Sequence, residues 1–179
     1  AAKQMTERPL LLSQSVLNFS PLTAHPTSLS RTIVSNLKPP NVTMGDLYLY
    51  GLGLKRDESH AWRYYLKSAK SGYVNAQLSV AWMYQNGRGT EKNDKLALFW
   101  YQQAGKQGNS WALYRIGALY AASKEIKINY SLAMKYYKMA AEQDEKLAQY
   151  SLGWMYSNGR GSPRNDKLAI YWVSKAARR

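Results

Sequence analysis

A nearly identical copy of one stretch recurs in this chain. The sequence MYQNGRGTEKNDKLA at 83–97 returns as MYSNGRGSPRNDKLA at 155–169, which is 72 residues later. Half of that distance, 36 residues, is a period that holds across most of the chain. Positions in register include Tyr48, Tyr84, Tyr120 and Tyr156, and also Ala61, Ala97, Ala133 and Ala169. A period of about 20–50 residues indicates stacked supersecondary units.

Each unit carries the pattern of two helices joined by a turn. In the second unit Ala76, Val80 and Tyr84 fall on one face of a helix. The Gly-Arg-Gly loop at 87–89 ends this helix, because glycine adopts left-handed backbone conformations at little cost. Asp94 then lies at the start of the second helix, where an acidic residue is favourable.

These patterns predict an all-α fold, a right-handed α-solenoid of about four 36-residue helix-turn-helix repeats with one concave and one convex surface. A single unit cannot bury both of its apolar faces, so stacked neighbours share a continuous core. We expect the solenoid over 44–179, with repeats at about 40–75, 76–111, 112–147 and 148–179. Residues 1–43 are expected to form an irregular N-terminal extension with a short helix that caps the first repeat.

The fourth unit contains, at the spacing of a known repeat, Leu152, Gly153, Tyr156, Gly159, Gly161, Asp166, Ala169, Trp172, Ala176 and Ala177. These positions resemble the Sel-1-like repeat more closely than the tetratricopeptide repeat, which is usually shorter and lacks the Gly-x-Gly loop. The third unit departs from the Sel-1-like pattern, with Ser123 and Glu125 in place of the loop glycines and Tyr130 in place of the acid. We expect the same helix pair there, with a differently shaped loop.

The amino-acid composition limits which classes of partner and which cellular compartments are expected for this chain. The chain has 25 Lys and Arg against 11 Asp and Glu, a formal charge of +14, which favours nucleic acid, an anionic membrane surface or an acidic protein. There is no cysteine, so disulfides and thiolate sites are excluded. No apolar run is long enough to span a membrane. The start at Ala1 suggests a processed N-terminus and a periplasmic or secreted protein, with a cytoplasmic or organellar location as the alternative.

The sequence contains no recognisable catalytic or metal-binding arrangement. The Gly-Arg-Gly loop follows a helix and lacks the spacing of a phosphate-binding loop. The two histidines, His25 and His60, lie far apart, and the acids Glu58, Asp94 and Asp166 recur one per unit as helix-start residues. We therefore predict no enzyme activity, no metal, no cofactor and no small-molecule substrate.

Two tryptophans are the strongest candidates for binding a partner. Trp82 and Trp154 are in register with Asp46 and Ala118, so the fold does not require an aromatic residue at that position. We expect both in the concave groove, where a buried tryptophan anchors an interface; the alternative is that they pack against an adjacent helix. The residues predicted to flank them are Gln77, Gln85, Arg115, Gln149 and Ser157.

A set of basic loop residues is a second candidate. Arg88, Lys124 and Arg160 are in register and are expected to line one edge of the stack, where they either guide an acidic partner or form an ordinary solvated surface.

The function predicted from these features is a non-catalytic protein–protein interaction module that binds a partner protein in or along its concave face. The resemblance implies a finer version, because some bacterial Sel-1-like proteins are immunity proteins that neutralise secreted effector toxins such as phospholipases. The alternatives are an adaptor or structural subunit of an envelope or organellar assembly, and an RNA- or DNA-binding helical-repeat protein.

Overall fold

The computed structural model describes residues 43–178, and in that range it contains eight helices and no strand. The helices are α1 (Met44–Tyr50), α2 (Glu58–Lys70), α3 (Val74–Asn86), α4 (Asp94–Lys106), α5 (Ser110–Ala122), α6 (Tyr130–Glu142), α7 (Lys146–Asn158) and α8 (Asp166–Ala177). Each helix packs against the one before it and the one after it. The predicted all-α repeat fold is confirmed. The predicted N-terminal extension lies outside the described residues, apart from Thr43.

Several repeats use the same local chemistry at their helix ends. Asn93, Asn129 and Asn165 cap the second helices α4, α6 and α8, each accepting a hydrogen bond from a backbone amide three residues later. Gly87 and Gly159 end the first helices α3 and α7 in the left-handed conformation, with φ of 64° and 63°. The first helices of the last three repeats each begin two residues before the repeat starts expected from the sequence, at 74, 110 and 146.

The core lies between the two helices of a pair and between consecutive pairs. Tyr65, Tyr101 and Tyr137 occupy one register position on the second helices and are all buried. A small residue on the first helix of the same pair makes room for this ring, since a Cβ added at Gly45 or Gly117 would overlap Tyr65 or Tyr137. The 36-residue period thus reflects a packing contact that recurs between a small residue of the first helix and a tyrosine of the second.

Consecutive repeats also meet at their loops. The backbone at Gly89 lies against the Glu58 carbonyl, and the backbone at Gly161 lies against the Tyr130 carbonyl, so each loop touches the start of the preceding second helix. A Cβ at either position would overlap that backbone. The Gly-x-Gly loop therefore serves close packing between repeats.

The third repeat makes this contact with side chains. Ser123 donates a hydrogen bond of 2.6 Å to the Asp94 carboxylate, and Glu125 accepts one of 2.8 Å from the Asp94 amide. Asp94 is buried beneath this loop. The residues that replace the glycines thus form a polar junction in the same place.

The loop packing leads to a prediction about two glycines that share a backbone conformation. Gly89 has φ +67° and faces backbone, whereas Gly72 has φ +89° and faces open space. We expect Gly72→Ala to cost about 1 kcal/mol, the usual strain of a left-handed non-glycine residue. Gly89→Ala adds an overlap that requires backbone movement, and we expect it to cost at least about 3 kcal/mol. Urea unfolding followed by circular dichroism measures both, and equal losses would contradict the packing role of Gly89.

Candidate functional site

The candidate site is the surface formed by the exposed sides of α3, α5 and α7, which we call the first-helix face. Trp154 on α7 is 50% exposed, and Tyr150 one turn earlier is 58% exposed. Trp82 on α3 is only partly exposed and packs against the core. The Arg88 guanidinium lies 5.9 Å from the centre of the Trp82 ring. The two tryptophans therefore differ, and Trp154 is the more accessible one.

Two of the predicted flanking residues meet between α3 and α5. Arg115 donates a hydrogen bond of 2.7 Å to the Gln85 side-chain oxygen, which also accepts one of 3.2 Å from the Tyr101 hydroxyl. The Arg115 guanidinium lies 5.4 Å from the Trp111 ring centre and 5.8 Å from that of Tyr101. Contacts with α3 and α4, together with Trp111 of its own helix, therefore fix the position of the arginine.

A run of aromatic rings continues from Arg115 towards α7. Trp111 contacts Tyr114 with ring centres 5.3 Å apart, and Tyr114 contacts Tyr137 at 5.7 Å. Burial, with the neighbouring Tyr114 next in importance, raises the pKa of the Tyr137 hydroxyl, so this tyrosine is neutral at physiological pH. The run is an apolar surface with hydroxyl groups at intervals.

A cavity of about 120 Å³ opens where this run reaches α7, and its lining includes Ala121, Tyr137, Tyr150 and Trp154. A wider recess of about 400 Å³ lies between α7 and α8, and Trp154 borders it too. Trp154 therefore stands between two concave surfaces, both apolar for the most part. Such a position suits an anchoring contact with an apolar side chain of a partner.

Two of the predicted partner-binding residues belong to the core, and their assignment is corrected. Gln77 and Gln149 are 5% and 2% exposed. Each side-chain amide donates a hydrogen bond to a carbonyl at the end of the preceding second helix, to Ala69 at 3.3 Å and to Ala141 at 3.1 Å. Both glutamines satisfy helix-end carbonyls inside a repeat junction and cannot contact a partner.

The predicted basic edge is also more structural than expected. Arg88 forms a two-pronged ion pair with Glu58 of the preceding repeat, with one contact of 2.8 Å from its Nε. The Arg160 guanidinium lies 5.0 Å from the ring centre of Tyr130, the residue in register with Glu58. Both arginines therefore connect one repeat to the next. Lys124 is exposed in the third loop, and Ser157 is exposed beside Trp154.

Sequence reasoning missed Trp111 and Tyr150. The test that selected Trp82 and Trp154 also applies to Trp111, because Asn75 and Leu147 stand in register with it and show that the fold needs no aromatic ring there. Tyr150 is harder to recognise by this criterion, because the residue in register with it, Tyr114, is also aromatic and the ring could serve the fold.

Neither a metal centre nor a membrane span is found within 43–178. No three His, Cys, Asp or Glu side chains of that range lie close enough together to hold a metal ion. No helix in the same range combines the length and apolar character needed to cross a bilayer.

A family comparison agrees with the helix pairs. The model described as Sel1 repeat matches four segments of the chain, 44–73, 74–109, 112–145 and 146–179. The chain belongs to the Sel1 repeat family. The matched segments in the second and fourth Sel1 repeats begin at the first residues of α3 and α7. Sel1 repeats mediate protein–protein interactions and are typically non-catalytic scaffolds.

Several solved structures share the fold. A protective antigen of uropathogenic Escherichia coli with an SLR fold is 26% identical, with a TM-score of 0.72 over 75% of this chain and 29% of its own. A Sel1 repeat protein from Oxalobacter formigenes is 31% identical, with a TM-score of 0.70 over 75% of this chain and 53% of its own. Cysteine-rich protein B of Helicobacter pylori is 22% identical, with a TM-score of 0.52 over 68% of this chain and 87% of its own.

The chain spans less than two thirds of the first two of these structures, with coverage of 29% and 53%. No protein with a curated description matches its sequence.

The ion pair between Sel1 repeats one and two predicts a pH effect on stability. Hydrogen bonds from Arg88, and to a lesser extent from Arg56, lower the pKa of Glu58 to about 2 from its usual 4.5. Its contribution is fully present above about pH 4.5 and is lost as the pH falls towards 2. We expect Glu58→Gln to cost about 1 kcal/mol at pH 7 and to match the wild type near pH 2. Thermal unfolding from pH 7 to pH 2 measures this.

Glu142→Gln is the matched control, because it removes an exposed carboxylate of a second helix. A deficit of Glu58→Gln that stays constant across the pH range would contradict the assignment.

Proposed function

We propose that this Sel1 protein is a non-catalytic binding module that holds a partner protein on the first-helix face. The observation that carries the proposal is the half-exposed Trp154 beside an apolar cavity, at the end of an aromatic run that begins at Trp111. Exposed aromatic residues grouped in this way are typical of interface centres.

The small number of charged residues on the first-helix face indicates what kind of partner surface it binds. Helices α3, α5 and α7 contain two charged residues, Arg115 and Lys146, and Arg115 is already held by Gln85. A partner segment with apolar side chains for the cavity and polar groups for the tyrosine hydroxyls therefore matches the face better than a highly acidic one. The expected acidic partner stays a prediction, and the first-helix face does not support it.

The finer version of the proposal is an immunity protein that neutralises a secreted effector toxin, in the periplasm or outside the cell. It rests on the family resemblance and on the partner-binding face. An adaptor or structural subunit of an assembly is the alternative, and it uses the same face.

The first experiment tests the face by affinity capture from a lysate of the source organism. We expect the double variant Tyr150→Ala/Trp154→Ala to lose its partner by at least tenfold in quantitative mass spectrometry, because one buried tryptophan anchor is worth about 2 kcal/mol. The control is Phe99→Ala/Tyr171→Ala, which removes two exposed rings from the second helices. Equal recovery of every protein by both variants would contradict the assignment, and thermal unfolding checks that both variants are folded.

The second experiment tests the immunity version. The chain is co-expressed with toxins encoded beside its gene, and we expect one of them to form a stable complex with it and to lose its toxicity. Rescue is expected to fail with Tyr150→Ala/Trp154→Ala and to persist with Phe99→Ala/Tyr171→Ala. Capture of a partner without rescue from any of the toxins would contradict the immunity version and would favour the adaptor or structural subunit.

A further inference from the structure

The two kinds of helix differ sharply in charge. The four first helices contain three charged residues in all, namely Asp46, Arg115 and Lys146. Most of the positive charge of the described chain therefore lies on the second helices and the loops. Hydrogen bonds relate both ends of α2 to the ends of α4, from Gln107 to the Gly72 carbonyl and from Arg88 to Glu58. The outward residues of the second helices therefore form a separate surface.

We call this surface the second-helix face and define it by four register positions in each repeat, which lie on α2, α4, α6 and α8 except for Arg178, the residue that follows α8. Its members are Ser59, Arg63, Lys67 and Lys70; Lys95, Phe99, Gln103 and Lys106; Ser131, Lys135, Met139 and Glu142; and Lys167, Tyr171, Lys175 and Arg178. The positions within one helix fall on one side of that helix. Nine of these residues are Lys or Arg, and Glu142 is the one acid among them.

The acids at the starts of the second helices do not offset these cations. Glu58 is paired with Arg56 and Arg88, and Asp94 is buried beneath the third loop. Asp166 accepts two hydrogen bonds from Arg164, at 2.8 and 3.1 Å. Glu58 and Asp166 are therefore paired with arginines, and Asp94 is buried, so none of the three neutralises the lysines and arginines of the face. Among the basic residues of the face, Lys175 does contact an acid, Asp144, at 3.1 Å.

Large apolar side chains are exposed among the cations. Phe99, Met139 and Tyr171 are 47%, 41% and 55% exposed. Phe99 and Tyr171 occupy the same register position as Arg63 and Lys135, so basic and aromatic residues alternate along the stack. The second-helix face is therefore basic and partly apolar.

We propose that the second-helix face binds an anionic phospholipid surface. Lysine and arginine attract the headgroups, and their aliphatic stems, together with Phe99, Met139 and Tyr171, enter the boundary between headgroups and acyl chains. A bilayer needs no shaped pocket, and neither of the two cavities described above borders this face. Phe99 and Met139 carry no group that hydrogen-bonds strongly, which fits lipid better than the base edges of a nucleic acid.

The test uses the full chain and sedimentation with vesicles in about 0.1 M NaCl, one set of phosphatidylcholine alone and one with about 30% phosphatidylglycerol. Binding is expected to the anionic vesicles and to fall steeply as salt is raised. Each cation near such a surface contributes roughly fivefold to partitioning, so Arg63→Gln/Lys67→Gln/Lys106→Gln is expected to lose about 100-fold. Phe99→Ser/Tyr171→Ser is expected to lose about tenfold with the charge unchanged.

The matched control is Lys55→Gln/Lys124→Gln/Lys127→Gln, which removes the same charge from exposed loop positions. It is expected to lose less than tenfold. Equal losses from the two triple variants, equal binding to both vesicle types, or no binding to anionic vesicles would each overturn the proposal. Tighter binding of a single-stranded RNA oligonucleotide than of anionic vesicles, lost in the same face variants, would also overturn it and assign the face to nucleic acid.

Lipid binding and partner capture are tested on different faces, and the Phe99 and Tyr171 substitutions, which disturb only the second-helix face, serve as the control for partner capture. Failure of the lipid proposal therefore leaves the proposed function standing, and the reverse also holds.

Discussion

The structure depends on the contact between the second helix of one repeat and the first helix of the next. Trp62, Leu98 and Met134 lie in register on α2, α4 and α6, and each is packed against the core. Their counterpart on α8, Ile170, is 68% exposed, and in the described chain no helix follows α8. The same register position is thus core or surface according to whether a neighbouring repeat covers it. Stability in such a stack comes from the junctions, so the loop contacts at Glu58, Asp94 and Tyr130 matter to the whole chain.

Stacking also assigns the two helices of each repeat to different surfaces. The first helices present aromatic rings and amides, and the second helices present lysine and arginine around a few exposed rings. One chain thereby carries a weakly charged face and a basic face that share no residue. A change on one face leaves the other intact, which allows two binding activities to be separated by substitution.

Most of the fold could be predicted from the sequence, because the period, the helix-ending glycines and the helix-start residues are local signals. The third loop was expected to differ, and the structure shows how: Ser123 and Glu125 hold Asp94 with side chains. The candidate site was harder to predict. The repeat register gives only the spacing of residues along the chain. Gln77 is buried in a junction because its side chain donates a hydrogen bond to the Ala69 carbonyl, which belongs to another helix.

The partners of two arginines could not be predicted from the register either, and these partners affect how much of the positive charge is available to attract another molecule. Arg88 and Arg160 are both exposed loop residues by pattern, yet each reaches a residue some 30 positions earlier, Glu58 or Tyr130. Within residues 43–178, the charge of Arg88 is offset by Glu58, whereas most lysines and arginines of the second helices and loops face solvent. The second group attracts an anionic partner over a distance. The positive charge therefore favours a partner of the second-helix face, and the first-helix face must recognise its own partner by shape and apolar contact.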